Sequence, residues 1–253
     1  MNFANLIFGQ YVSRKSVIHR IDPRAKLISI LLLLSAIISI KKPENLLIAI
    51  VIYTFIAFLS KIGIKALISS LKPIIYLVIF TLLFNAAFLT FTVSLEDALV
   101  HSIFISARLL LLMMYAIMLP ITTAPLELSD GLVEMLKPFR RILPVEDIAI
   151  MLGIALRFMP LLTEEAEKIM KSQISRGAKL EEGNIFRRIK SFFPVILPLF
   201  VIIFRRADEV ALAMEVRGYG LGQERTRREP LSWKRSDSVA ILITVIIMLI
   251  LLS

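Results

Sequence analysis

The chain has 253 residues, of which 57% are hydrophobic and 20% charged, and its mean hydropathy is +0.81. Ordinary soluble domains contain about 45 to 50% apolar residues even with glycine counted, so this composition excludes that class and favours a membrane protein. The formal charge of +10 at pH 7 fits the basic loops that orient hydrophobic spans in a bilayer, and the absence of cysteine excludes a disulfide framework and a thiolate metal site.

Five apolar runs are predicted to cross the membrane as helices. The first two are shorter than the ~20 residues that usually span the hydrocarbon, although lysines at both ends of the first can snorkel to make up the difference. No alternating pattern typical of β-strands occurs, so the predicted fold class is an all-α integral membrane protein. The five runs are 27–40, 46–60, 73–95, 101–123 and 239–252.

Basic residues predict the orientation of these spans. They precede the first span and lie between the second and the third, which places both of these sides and the N-terminus in the cytoplasm. Lys41 and Lys42, in the first outer loop, are the exception. The chain then divides into an N-terminal tail with four transmembrane helices (1–124), a cytoplasmic domain (125–237) and a C-terminal transmembrane helix (238–253).

Two long helices are predicted in the cytoplasmic domain, after a shorter helix near 126–139. In segment 148–176, apolar residues recur at three- and four-residue steps, and charged residues fall on the opposite side. Segment 185–217 is also amphipathic, but its centre, 192–204, is wholly apolar. This centre is too short to span comfortably, so it is predicted to form a buried or interfacial helix kinked by prolines.

Each long helix is predicted to end at an arginine that precedes a glycine, in the pairs Arg176-Gly177 and Arg217-Gly218. Glycine most easily adopts the left-handed conformation that closes a helix. In one interpretation the arginines only complement the negative end of the helix dipole, an effect of about 0.3 to 1 kcal/mol. In the other, each guanidinium is an always-charged fork that grips carboxylates or carbonyls of a partner. Two such ends in one domain favour partner binding.

Four motifs carry a resemblance to a known family. From about residue 10 to its end, the chain resembles the transmembrane T component of energy-coupling factor (ECF) transporters, a CbiQ-like family that includes cobalt-transport permease subunits. The motifs are IDPRAKL (21–27), TTAPLEL (122–128), IALRFMPLLTEEAEKIMKSQISRGA (154–178) and RRADEVALAMEVRGYG (205–220), the last followed by Arg225-Thr226.

The resemblance implies a non-catalytic subunit of an ATP-driven importer in the plasma membrane of a prokaryote. Two ABC-type ATPase subunits would bind and hydrolyse ATP, so this chain would need no cofactor of its own. A small membrane protein, the S component, would bind the micronutrient. Because selectivity resides in the S component, this sequence does not reveal which vitamin or transition metal is carried.

The resemblance also implies roles for individual residues. The triplets Ser175-Arg176-Gly177 and Val216-Arg217-Gly218 would each dock in a groove of one ATPase, and the long coupling helices would pass the ATPase movement to the S component. Gln173-Ile174, before the first triplet, is a minor departure from the family pattern. The residues expected to face the S component are Leu152, Met159, Leu162, Phe193 and Phe200.

Other functions have less support in the sequence. No phosphate-binding G-x-x-x-x-G-K-[ST] motif occurs, His19 and His101 lie in separate segments without metal-ligand spacing, and the mixed charge of the cytoplasmic domain argues against nucleic acid. A membrane enzyme and a self-contained secondary transporter remain alternatives. A membrane enzyme requires acids or histidines within the spans, and a secondary transporter typically contains internal repeats. Arg108, in the fourth span, is expected to snorkel to the outer interface.

Overall fold

The computed structural model describes residues 16–91, 94–178, 184–219 and 232–252, and within these ranges the chain is α-helical without a strand. This confirms the all-α fold class. The tail before Ser16, Gly220 and the pair Arg225-Thr226 lie outside the described residues. The helices are α1 (Pro23–Ser39), α2 (Pro43–Ser60), α3 (Ile64–Leu89), α4 (Leu95–Thr122), α5 (Pro125–Leu136), α6 (Val145–Ser175), α7 (Ile185–Val216) and α8 (Arg235–Leu252).

Among the described residues, four helical segments are long and apolar enough to cross a membrane: Pro43–Ser60, Ser69–Leu89, Leu95–Thr122 and Arg235–Leu252. They lie on α2, α3, α4 and α8. Helix α1 carries the first predicted apolar run but has only 17 residues, fewer than the ~20 that span comfortably. Helix α7 is not among the four within the described part of the chain.

Contacts divide the chain into two compact units. Among the described residues, the helix-bundle unit comprises those within 16–145 and 232–252, and the long-helix unit comprises those within 146–219. In the helix-bundle unit, α1 packs against α4, α5 and α8, while α3 lies along α4 and α2 contacts α4 and α8. The short helix α5 therefore packs with the spans. The functional division at residue 125 stays a prediction.

Tyr115 lies at the centre of the helix-bundle core. Its side chain is 1% exposed, and its ring meets Tyr53 edge-on with centroids 5.2 Å apart. The hydroxyl donates a hydrogen bond to the backbone oxygen of Ala49 at 2.9 Å. A buried hydroxyl without a partner costs roughly 1 to 3 kcal/mol in proteins, so this bond lets a polar side chain tie α4 to α2 inside an apolar core.

Two helix ends in the same unit are closed by side chains from neighbouring helices. Arg108 Nη1 donates to the backbone oxygens of Ile38 and Ile40, both at 3.3 Å, and so satisfies carbonyls at the end of α1. Asn45 Nδ2 donates to the oxygen of Leu251 at 2.9 Å, near the end of α8. The last carbonyls of a helix have no partner within the helix. Arg108 thus has a structural role beyond reaching toward the interface.

Helix α5 crosses the start of α1 at nearly backbone distance. A Cβ atom placed on Gly131 would lie 2.9 Å from the Cβ atom of Pro23 and 3.3 Å from its carbonyl carbon. The proline ring and the backbone cannot move aside as a flexible side chain can. Glycine at this position therefore permits the crossing.

Substituting Gly131→Ala is expected to destabilise the protein. Overpacking costs about 1 to 3 kcal/mol, which exceeds the roughly 1 kcal/mol that alanine contributes over glycine in a helix interior. The measurement is the melting temperature in detergent. Gly153→Ala is the matched control, because no atom lies within 4 Å of a Cβ built there, and it should leave the melting temperature unchanged or raise it. A melting temperature at or above that of the wild type for Gly131→Ala would contradict the packing argument.

Candidate functional site

The end of α6 has the geometry of a Schellman motif. The Gly177 N–H donates to the oxygen of Ile174 at 2.9 Å, and the Ala178 N–H donates to the oxygen of Gln173 at 3.0 Å. Gly177 has a φ of 88°, the left-handed conformation that glycine adopts without strain. Arg176 is therefore the last residue before the chain turns away. This confirms the predicted helix end.

The end of α7 repeats this arrangement. The Gly218 N–H donates to the oxygen of Glu215 and the Tyr219 N–H to the oxygen of Met214, both at 2.9 Å, and the φ of Gly218 is 75°. Arg217 holds the same position relative to its glycine as Arg176 does in α6. The two ends therefore share one backbone geometry and not merely one pair of residue types.

Both arginines are accessible to a partner. Arg176 and Arg217 are exposed, and within the described ranges neither lies within 4.0 Å of a carboxylate. Apolar side chains beside them are also exposed, Ile174 by 57% and Val216 by 81%. An always-charged fork next to uncovered apolar surface is suited to contact with another protein.

The two arginine ends lie far apart in the long-helix unit. The hydroxyl of Tyr219, just after α7, donates to Oδ1 of Asp147 near the start of α6 at 2.9 Å. Arg217 therefore lies close to the first turn of α6, whereas Arg176 is at its last turn. At 1.5 Å per residue, the two are separated by roughly 40 Å along α6. This separation is wide enough for two different protein molecules to hold one end each.

The residues expected to face the S component differ in exposure. Leu152, Met159 and Leu162, on α6, are half-buried. Phe193 and Phe200, on α7, are 63% and 54% exposed. The apolar centre of α7, which was predicted to be buried or interfacial, is thus largely uncovered by the described residues. The role of these five residues stays a prediction.

Sequence reasoning missed a cluster of charged residues at the start of α1. The carboxylate of Asp22 caps this helix, because its Oδ1 accepts from the Arg24 N–H at 2.9 Å. The Arg24 side chain binds the same carboxylate through Nε at 3.1 Å and Nη2 at 3.2 Å. The guanidinium also lies over the ring of Trp233, 5.5 Å from its centroid. Two residues of IDPRAKL thus form a bidentate pair that orders this helix end.

Asp237 joins the start of α8 to this pair. It is 1% exposed; its Oδ1 accepts from the Asp22 N–H at 3.0 Å and its Oδ2 from the Lys234 N–H at 2.7 Å. A buried carboxylate is tolerated when hydrogen-bond donors surround it. Here the donors are the backbone N–H groups of Asp22 and Lys234, which lie far apart in the chain.

Lys26 connects IDPRAKL to TTAPLEL. Although it is only 4% exposed, its Nζ donates to the oxygen of His19 at 3.2 Å, the oxygen of Thr122 at 3.1 Å and Oγ1 of Thr123 at 3.2 Å. These three bonds match the three donors of an ammonium group. Burial lowers the pKa of Lys26 to about 8, against the raising effect of nearby carboxylates, of which Glu127 contributes most. We call Asp22, Arg24, Lys26, Thr122, Thr123 and Asp237 the junction cluster.

These features define an all-α integral membrane protein that presents two arginine-ended helices and joins its spans through a buried polar cluster. The sequence profile of the family described as a cobalt transport protein, CbiQ, matches residues 14–228. The chain therefore belongs to this family, as its motifs indicated.

Relatives match nearly the whole chain. It is 41% identical over 242 residues to a protein of Thermanaerovibrio acidaminovorans, covering 92% of this chain and 90% of that protein. The match to a protein of Brevibacillus brevis is 40% and the match to one of Bacillus subtilis is 36%, each covering 98% of this chain and 97% of the relative. All three relatives are named energy-coupling factor transporter transmembrane protein EcfT.

Substituting Lys26→Met is expected to lower the stability of the protein by about 3 kcal/mol. Each buried acceptor left without a donor costs about 1 to 3 kcal/mol, and the substitution leaves those of His19, Thr122 and Thr123 without the ammonium. The measurement is the melting temperature in detergent. Lys41→Met, at an exposed lysine just beyond the opposite end of α1, is the control and should change it little. Equal melting temperatures for the two variants would refute the importance of the buried bonds.

The lowered pKa of Lys26 also predicts how the stability difference between the wild type and Lys26→Met depends on pH. The folded-state pKa of Lys26 is about 8, below its ordinary value of 10.5, so between these values the unfolded chain binds more protons at this site. The contribution of Lys26 to stability therefore rises as the pH increases through this window. Melting curves at pH 8 and pH 10 should show a wider gap between wild type and Lys26→Met at the higher pH. A gap that narrows would give the opposite sign and contradict the lowered pKa.

Proposed function

We propose that this chain is the coupling subunit of an ECF-type importer, in which two ABC-type ATPases hold the ends of α6 and α7. The observation that carries this proposal is the pair of matching helix ends, which present exposed Arg176 and Arg217 roughly 40 Å apart. The names of the relatives support it, because they describe the transmembrane protein of such a transporter.

The geometry at the ends of α6 and α7 explains how an ATPase could transmit force to each helix. The Schellman turn fixes the direction in which the chain leaves the helix, so the preceding arginine stays at the tip. A guanidinium binds a carboxylate or carbonyls through several donors in a rigid fork. A force on this fork acts along a helix of 31 residues in α6 and 32 in α7, and hydrogen bonds along the backbone resist its stretching.

The other end of the transmission is a small membrane S component. The exposed Phe193 and Phe200 on α7 offer an apolar surface that the described residues leave uncovered. The half-buried Leu152, Met159 and Leu162 on α6 are further candidates for this contact. Apolar contact is non-directional, so such a surface tolerates sliding and tilting of a partner. Movement of the arginine ends would thereby reorient the S component, which selects and releases the vitamin or transition metal.

This mechanism requires that the N-terminus and the segment 125–237 lie in the cytoplasm of a prokaryotic cell, where ATP is available, with the spans in the plasma membrane. The distribution of basic residues supports this orientation. ATP is handled by the partner ATPases, because this sequence contains no phosphate-binding loop of the P-loop type. The chain itself would perform no catalysis.

Reversing both charges, in Arg176→Glu with Arg217→Glu, is expected to abolish co-purification of the ATPases while membrane insertion is retained. Each single change should be partly tolerated, because two linked contacts reinforce each other. The measurement is the amount of ATPase recovered with the tagged chain from membranes in which all subunits are co-expressed. The control is Arg140→Glu with Arg141→Glu, two exposed arginines outside α6 and α7 that carry the same change of charge. Full ATPase recovery with the first double variant would refute the proposal.

A second double variant that preserves the charge distinguishes binding by the guanidinium fork from an effect of charge on the helix dipole. Arg176→Lys with Arg217→Lys keeps the positive charge at each helix end but removes the planar set of donors. If the arginines act by gripping the ATPases, the loss of the planar donors should weaken binding by at least about 1.4 kcal/mol. This corresponds to about a tenfold loss of affinity and lowers the recovery of the ATPases accordingly. Unchanged recovery would show that only the charge at the helix end matters.

A further inference from the structure

A second candidate site lies in the helix-bundle unit. A cavity of about 260 Å³ is lined by Ser16, Val17 and Arg20 on one side and by Phe58, Leu59 and Lys61 on the other. The first group includes a 3-10 turn at Ile18–Arg20, which packs against α2, and the second group is the end of α2. Because Pro43–Ser60 is a candidate span, the cavity lies at the boundary between membrane and water.

The charge of this cavity is positive, and no described carboxylate neutralises it. Arg20 and Lys61 are both exposed, and among the described residues neither pairs with a carboxylate within 4.0 Å. The C-terminal end of α2 contributes about half a negative charge. Two full positive charges exceed it, so an anion is favoured here.

The remaining walls are suited to hydrocarbon. Phe58 is 80% exposed and Val17 69% exposed, and Leu59 is partly exposed beside them. Ser16, by contrast, is a buried polar residue of the lining, and its Oγ lies 2.7 Å from Nδ1 of His19. The volume is slightly below the roughly 300 to 1,000 Å³ of sites for drug-sized ligands, which fits a head group better than a whole molecule.

We propose that this cavity binds the phosphate of an anionic phospholipid, with Arg20 and Lys61 as its ligands and the acyl chains along Phe58 and Leu59. Basic pockets between membrane helices are a recognised setting for lipid head groups. The exposed apolar side chains beside the two cations favour a lipid over free phosphate. The site is independent of the proposed coupling role, since none of its residues belongs to α6 or α7.

The test uses the full chain, purified in detergent and titrated with dioleoyl phosphatidylglycerol, with bound lipid counted by native mass spectrometry. Arg20→Gln with Lys61→Asn should weaken binding by about fivefold for each cation, and so by roughly twenty-five-fold for the pair. Asparagine is chosen because Lys61 has a φ of 53°, in a region that asparagine tolerates better than most residues. Arg20→Lys with Lys61→Arg keeps both charges and should retain binding.

The matched control is Lys41→Gln with Lys42→Gln, which removes two charges at the opposite end of the same helix α2. It should leave phosphatidylglycerol binding within about twofold of the wild type. Equal losses in the control and in the Arg20 and Lys61 variant would overturn the proposal, because they would show attraction by net charge alone. Unchanged binding in the Arg20 and Lys61 variant would also overturn it.

Two further ligands distinguish the source of the phosphate. Dioleoyl phosphatidylcholine has the same acyl chains without net charge and should bind more weakly than phosphatidylglycerol. Glycerol 1-phosphate has the charge without acyl chains and should not compete at an equal concentration. Competition by glycerol 1-phosphate as strong as that by the lipid would overturn the lipid assignment. Loss of lipid binding in the charge-preserving variant would overturn the roles of Arg20 and Lys61.

Discussion

The helix-bundle unit depends on a buried ammonium group. Lys26 Nζ gives its three hydrogen bonds to His19, Thr122 and Thr123, and so holds the start of α1 against the end of α4. A buried charge is costly unless its hydrogen bonds are made. The hydrogen bonds therefore fix the positions of the three acceptors, and with them the short connection from α4 to α5. Asp237 holds the start of α8 against the start of α1, because its Oδ1 accepts a hydrogen bond from the Asp22 N–H.

This arrangement gives a membrane bundle a specificity that apolar packing alone does not supply. Inside a bilayer, lipid tails are as apolar as leucine, so apolar burial does not by itself decide which helices meet. The junction cluster, the Tyr115 bond to Ala49 and the Arg108 bonds at the end of α1 each require one partner at one place. The junction cluster and the Arg108 bonds select the neighbours of α1, whereas the Tyr115 bond joins α4 to α2. Helix α5 then fits across α1 because Gly131 has no side chain.

The long-helix unit is built on a different principle. Its arginine ends are exposed, and so are apolar side chains of α7 such as Phe193 and Phe200. Surface of this kind is characteristic of contact sites for other molecules. The proposed coupling role would use both parts, with a bundle held by specific buried bonds and two long helices that offer exposed surface to partners.

The sequence by itself determined the features that depend on neighbouring residues. Apolar runs predicted the helices, and the arginine-glycine pairs predicted the two helix ends, because the left-handed turn at Gly177 and Gly218 is a local property of the backbone. Only the tertiary structure decided which distant groups Lys26 and Asp237 bind, since Thr122 lies 96 residues from Lys26 and Asp22 lies 215 residues from Asp237, and nothing in the local pattern names them. The distance between Arg176 and Arg217 likewise required the bond from Tyr219 to Asp147, because helix lengths alone do not fix the angle at which two helices meet.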